Sequence, residues 1–195
     1  AHTLIFLPDI VTMEKFAATM GRHIRNIHMS SQNAHMPLAE LIRTAEPFGA
    51  LIVIAHAFTP HKGLYGSCTP HMAAVLGERE MAAIAAVELG LSADSTLADR
   101  IGELASYTFV TNSDAHSLDK IAREYNQLML ATPSFQECAW AFARRGGRAV
   151  TANYGLDPRL GKYHRTFCGE CDYFDPAGEA FTDNCPRCGS RKVVR

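Results

Sequence analysis

The sequence predicts an α/β body followed by a small metal-stabilised module, and three observations carry that prediction. Short apolar runs alternate with stretches of helical periodicity at about twenty or more residues from strand to strand, the order of a parallel sheet crossed by helices. Residues 50–55 (ALIVIA) are continuously apolar, as in a strand buried on both faces. Four of the six cysteines form two Cys-x-x-Cys pairs separated by thirteen residues near the C-terminus. The body is expected over residues 1–150 and the metal module over 151–195.

Taken in order, residues 4–7 read as a strand ended by Pro8, and Asp9 as the cap of a helix over about 11–29. Met13, Phe16, Ala17, Met20, Ile24 and Ile27 form its apolar stripe. Pro37 opens a second helix that Gly49 closes. After the apolar strand at 50–55 comes a loop with Pro60, Gly63 and Gly66, then high helix propensity over 78–86. Residues 87–91 are expected as a short strand, with Glu88 either facing a site or lying at an exposed edge. Asp94 or Ser95 caps a helix through about 106. A strand at 107–111 follows, then helices over about 117–130 and 134–145.

The strand at 107–111 runs into TNSDAH. On extended backbone, residues two apart point to one side, so Asp114 and His116 can converge on a cation at a strand end. The competing reading makes Asp114 a helix cap for the segment starting near Ser117. His56 directly follows the apolar strand, a second strand end carrying a metal-capable side chain. His2 opens the chain in an apolar strand, where a packed or edge histidine is the simpler reading. In the loop after His56, His61, Lys62 and Tyr65 offer a donor, a cation and a stacking face, or simply a solvated loop.

Cys168, Cys171, Cys185 and Cys188 have the spacing of two knuckles that complete a tetrahedral sulfur site for structural zinc, with an iron–sulfur centre as the competitor. Four ligands leave no open position for chemistry. Four paired and two isolated cysteines suit a reducing, cytoplasmic setting better than a disulfide framework. Hydrophobic residues make up 47% and charged residues 20% of the chain, the balance of a folded globular protein. No apolar run reaches the ~18 residues of a membrane span, so no membrane partner is expected. Net charge is −1, but residues 1–140 hold 9 Lys/Arg against 14 Asp/Glu and residues 141–195 hold 10 against 6. A basic C-terminal part points to a polyanion as partner.

AHAFTPHKGLYG, VELGLSADSTLADRIGEL, TNSDAHSLDKIAREYN and GLDPRLGKYHRTFCGEC together resemble the endonuclease Q family of the polymerase-and-histidinol-phosphatase (PHP) superfamily. The resemblance covers nearly the whole chain. It implies a partial PHP-type (β/α) barrel followed by a zinc-ribbon domain. It implies metal-dependent nicking of DNA on the 5′ side of deaminated bases or abasic sites. It makes His2, His56, Asp114 and His116 candidate ligands for divalent ions (Zn, Mn or Mg) in the barrel, with His56, Asp114 and His116 catalytic. It directs His61, Lys62, Tyr65, Lys162 and His164 to DNA contact, and a sliding clamp is a possible further partner. The superfamily's His-x-His motif does not occur in the chain. The chain, which has no initiator Met, is therefore expected to be a piece of a longer protein with an incomplete barrel, weakly active or inactive alone. Two other functions compete: a PHP phosphoesterase for a small phosphate monoester, and a non-catalytic zinc-ribbon module that binds nucleic acid.

Overall fold

A computed structural model describes residues 1–25, 33–60, 62–160, 164, 166–175, 180–181 and 183–194. The fold is mixed α/β. Strands β1 (Thr3–Phe6), β2 (Leu51–Ile54), β3 (Ile84–Glu88) and β4 (Thr108–Val110) make one sheet in that order. β2, β3 and β4 are parallel, as expected. β1 is not: it runs antiparallel to β2, with Thr3 opposite Ile54 and Phe6 opposite Leu51. The segment between β1 and β2, which includes helices α1 (Ile10–Met20) and α2 (Leu38–Ala45), returns the chain beside Phe6 and so reverses the direction.

β2 has the burial its composition predicts. Ile52 and Ile54 pack with Ile42, Leu64, Met72, Val87 and Leu104 on the helix side. Val53 points the other way, to Ala86 and Val110, with Leu4, Phe142 and Val150 packed around them. Both faces are therefore dry, which is what a run without alternation means. The cap of α1 is also as expected, since the Asp9 carboxylate accepts from Thr12 N at 2.7 Å. α1 stops at Met20. Its expected continuation over 26–29, with His28, lies outside the described residues. Gly49 follows α2 and its 3-10 turn in the left-handed region, at φ +66°.

Three expected elements differ. The strand expected at 87–91 is Ile84–Glu88, because the Ala-rich tail of α3 (Glu78–Ala83) passes directly into the sheet beside β2. The helix expected to reach 106 is only α4 (Ser95–Ala98), capped by Asp94, followed by a 3-10 turn at Gly102–Leu104. The helix expected over 117–130 is a 3-10 turn, Leu118–Lys120, and then strand β5 (Tyr125–Met129). β5 pairs antiparallel with β6 (Ala149–Tyr154) and alternates exposed and half-buried positions, the period of two of a strand. Leu118 and Ile121, at the start of the expected helix, are exposed at 85% and 63%. Helix α5 (Phe135–Phe142) lies between the two strands in sequence, and β6 crosses position 150. A last two-stranded sheet, β7 (Phe167–Cys168) with β8 (Val193–Val194), brackets the cysteine module. Among the described residues, no helix is long and apolar enough to cross a membrane.

Candidate active site and metal centre

The sheet topology gathers reactive groups at one edge. Three parallel strands bring their C-terminal ends there, and antiparallel β1 brings its N-terminal end to the same place. A cleft of about 510 Å³ opens at this edge, lined among others by His2, His56, Glu88, Asn112 and Asp114. Each stands at or just beyond the end of a different strand, except Asn112 and Asp114, which share β4.

His2 Nδ1 lies 3.1 Å from His56 Nε2. Two imidazole nitrogens on adjacent vertices of a tetrahedron around zinc would be about 3.3 Å apart, so this pair is already spaced as ligands are. Burial holds the His2 imidazole below its ordinary range, and His56 and Lys62 add to that. The Asp114 carboxylate pulls the other way. His2 is thereby biased to the neutral form in which imidazole ligates. His56 Nδ1 is buried with no hydrogen-bond partner among the described residues.

The turns that present these groups are unusual. His56 has φ +29° and Asp114 φ +45°, both in the left-handed region that side-chain-bearing residues rarely occupy. Neighbours hold them there. The Glu88 carboxylate accepts from His56 N at 2.7 Å and from Asn112 Nδ2 at 2.8 Å. The Glu88 carbonyl accepts from Ala57 N at 2.8 Å. Gly90, at φ +67°, sits so close that a Cβ on it would come within 2.8 Å of His56 Cβ. Asn126 accepts from Thr111 N at 2.7 Å and from Asn153 Nδ2 at 2.9 Å, tying β5 and β6 to the end of β4. Arg123 bridges the buried Glu124 carboxylate and the Ser113 carbonyl. Glu88 is 3% exposed, and burial pushes its carboxyl above the usual range against the two hydrogen bonds it accepts. Sequence reasoning left Glu88 between a site and an exposed edge; a lone carboxylate within a short apolar strand was the available signal. Asn112, Asn126, Asn153 and Gly90 were missed, and a lone amide or glycine in the sequence carries no such signal.

The remaining expected site residues are placed as follows. His116 is exposed, with Nδ1 2.8 Å from the Asp114 carbonyl, and it does not line the cleft. Asp114 caps no helix: the turn at Leu118–Lys120 has Ser117 at its cap and no side-chain cap bond. Lys62 turns at φ +64°, and its carbonyl accepts from His2 N at 2.9 Å. The Tyr65 hydroxyl donates to Glu103 at 2.9 Å and its ring stacks on Phe58, 5.5 Å between centroids. Burial, then Glu103, push its hydroxyl pKa upward. His164 Nε2 is 2.8 Å from the Ser92 carbonyl, joining the segment after β6 to the loop after β3. His61 and Lys162 lie outside the described residues.

The cysteines are the other centre. Cys168, Cys171, Cys185 and Cys188 bring their sulfurs together, all within 4.8 Å. Cys168 and Cys188 are 3.6 Å apart and Cys171 and Cys185 3.7 Å, against the roughly 3.8 Å edge of a zinc–sulfur tetrahedron. Backbone N–H groups of Glu170 and Arg187 point at Cys168 and Cys185 sulfurs from 3.4 Å, as in knuckles that cradle thiolates. At Cys168 burial opposes ionisation, yet such donors and the adjacent thiols bring it down to about 7. At Cys188 the Ser190 N–H favours the thiolate, but the neighbouring thiols and burial push it up to about 12. Four thiolates cannot share this volume without a cation, so the donor set fits a metal ion. Among the described residues it is the only group of three or more His, Cys, Asp or Glu side chains placed to share one ion. In the cleft, only the two imidazoles meet.

No family model matches the chain. It is 41% identical over 193 residues, 99% of its length, to the uncharacterized protein YqxK of Bacillus subtilis. It superposes with a TM-score of 0.85 and 32% identity, over its whole length, on the lesion-specific endonuclease PfuEndoQ from Pyrococcus furiosus. It also superposes, with a TM-score of 0.82, 34% identity and 98% of its length, on an endonuclease Q in complex with a 27-mer duplex substrate carrying an abasic lesion at the active site. The chain spans 49% of the length of each of these three proteins.

Proposed function

This chain is a relative of the endonuclease Q family over its whole length, and from that kinship we propose that it is the strand-end half of a metal-dependent DNA endonuclease active in repair. The observation that carries the proposal is the cleft at one sheet edge where His2 and His56 meet and which Asp114 also lines, inside a fold that superposes on a lesion-specific endonuclease. The substrate is DNA with a deaminated base or an abasic site, and the bond broken is the phosphodiester on its 5′ side. The four-stranded sheet with its helices would be part of a (β/α) barrel ending with β6. The cysteine module starting at β7 is a structural zinc domain.

His2, His56 and Asp114 are the groups that would hold a divalent ion in the cleft, with His116 as a further donor if its ring leaves the Asp114 carbonyl. Such an ion would polarise the scissile phosphate and lower the pKa of a bound water. The protein's own contribution is positional. Glu88, Gly90 and Arg123 fix the two left-handed turns, and burial keeps the His2 imidazole in its ligating form.

The test is nicking of duplex DNA containing one uracil or abasic site by the full-length protein, beside a small phosphate monoester as competitor substrate. Expected are a nick 5′ to the lesion and a fall of about 100-fold or more in kcat for Asp114→Ala and His56→Ala, the scale of losing a charge-stabilising group. Hydrolysis of the monoester without nicking would replace this reading with a phosphoesterase.

A further inference from the structure

We propose that Glu88 is a positioning residue of the cleft: its two carboxylate oxygens, by accepting from His56 N and Asn112 Nδ2, set the spacing between the β2 and β4 ends that carry His56 and Asp114. This rests on the reading of the cleft as a metal-dependent site, and it assigns a task to a residue that the ligand set leaves over.

The geometry is that of a two-sided brace. Glu88 closes β3, the central strand between β2 and β4. On one side its carbonyl and its Oε2 hold two successive amides, Ala57 N at 2.8 Å and His56 N at 2.7 Å. On the other its Oε1 holds Asn112 Nδ2 at 2.8 Å, two residues before Asp114. The next backbone amide, Leu89 N, donates to the Val110 carbonyl at 2.9 Å, so both neighbours are gripped at the same level. A carboxylate in a dry location is costly without partners. Here both oxygens are satisfied by groups on opposite strands, which no apolar side chain at position 88 would reproduce. His56 cannot relax away from its left-handed turn while its N–H is held, and the Gly90 backbone packs against its Cβ.

A brace differs from a ligand or a base in what replaces it. Glutamine keeps the length and one acceptor oxygen for His56 N. Its NH2 can face the Asn112 oxygen once that amide turns over, at the expense of the long 3.4 Å contact to Asn126. Alanine supplies neither bond. Glu88→Gln is therefore expected to behave nearly as the wild type, and Glu88→Ala is not.

The experiment measures Mn2+ binding by EPR, lesion-nicking kcat and KM, and thermal melting, on the full-length protein with its cysteine site loaded. Glu88→Ala is expected to bind Mn2+ about 10–100-fold more weakly, the range for loss of a group that orients ligands. Its kcat should fall and its KM for DNA stay unchanged, while Glu88→Gln stays within about threefold of wild type on all readouts. Wild-type Mn2+ affinity in a folded Glu88→Ala overturns the proposal. So does a Glu88→Gln as defective as Glu88→Ala, since that would make the charge itself the functional property. If Glu88→Ala does not fold, Asn112→Ala removes one side of the brace without touching β3; weakened Mn2+ binding supports the proposal and unchanged binding overturns it. Asp114→Ala separates the two layers: if it leaves Mn2+ binding and nicking intact, the reading of the cleft itself fails, whatever Glu88 does.

Discussion

At the scale of single residues, the cleft is defined by positions where the backbone is bent against its preference. His56 and Asp114 hold left-handed turns that cost of order 1–3 kcal/mol each, and Glu88, Gly90 and Arg123 offset that cost. Gly90 is the most sensitive of these. Alanine there meets both a positive φ and the His56 Cβ, so Gly90→Ala is expected to destabilise the protein by about 1–3 kcal/mol. It should also displace His56 and weaken nicking, and urea unfolding checks the first effect. Tyr65 illustrates the reverse. The family resemblance directs Tyr65 to DNA contact; in the structure its hydroxyl donates to Glu103 and its ring stacks on Phe58. The bond to Glu103 is not legible in the sequence around Tyr65, because Glu103 lies 38 residues away.

At the scale of elements, the strands that read most clearly are those whose composition leaves one solution. The ALIVIA run has no polar side, so only a central strand with two covered faces satisfies it, and β2 is that strand. β5 had no such mark. Its residues fit a helix as well as a strand, and what decides is β6, more than twenty residues later, together with Asn126. The Asn126 side chain serves Thr111 N, the Thr111 carbonyl and Asn153 at once. Asn126→Ala leaves the Thr111 amide buried without an acceptor and is expected to cost about 2–3 kcal/mol. Chemical denaturation measures that, and amide exchange should rise first in β5 and β6. The antiparallel β1 is also a matter of tertiary return path: nothing within residues 3–6 states a direction.

At the scale of the molecule, two centres differ in how they were legible. Cysteine spacing is local, and two knuckles thirteen residues apart prescribe their own meeting in space. The cleft is assembled from four strands, so the sequence revealed its donors at single strand ends but not which would meet. His2 and His56 do, Asp114 shares their cleft, and His116 is exposed and does not line it. The same difference predicts how the protein responds to metal removal. A module with two two-residue strands and few buried side chains would depend on a metal held by its cysteines, since binding is about 10 kcal/mol of apparent folding energy in comparable sites. A strong chelator is expected to abolish amide protection over 167–194 while the body with β1–β6 keeps its melting transition. Hydrogen exchange read by mass spectrometry distinguishes the two; simultaneous loss would mean that the module supports the body.

The Glu88–Asn112 bond also bears on how the protein ages. Asn112 is followed by Ser113, a small residue that does little to shield the side-chain amide from its own backbone. Spontaneous hydrolysis of that amide would put a second carboxylate against Glu88, where like charges in a dry site repel. A change of a single mass unit would then loosen the clasp between β3 and β4, making the age of a preparation a variable in its activity.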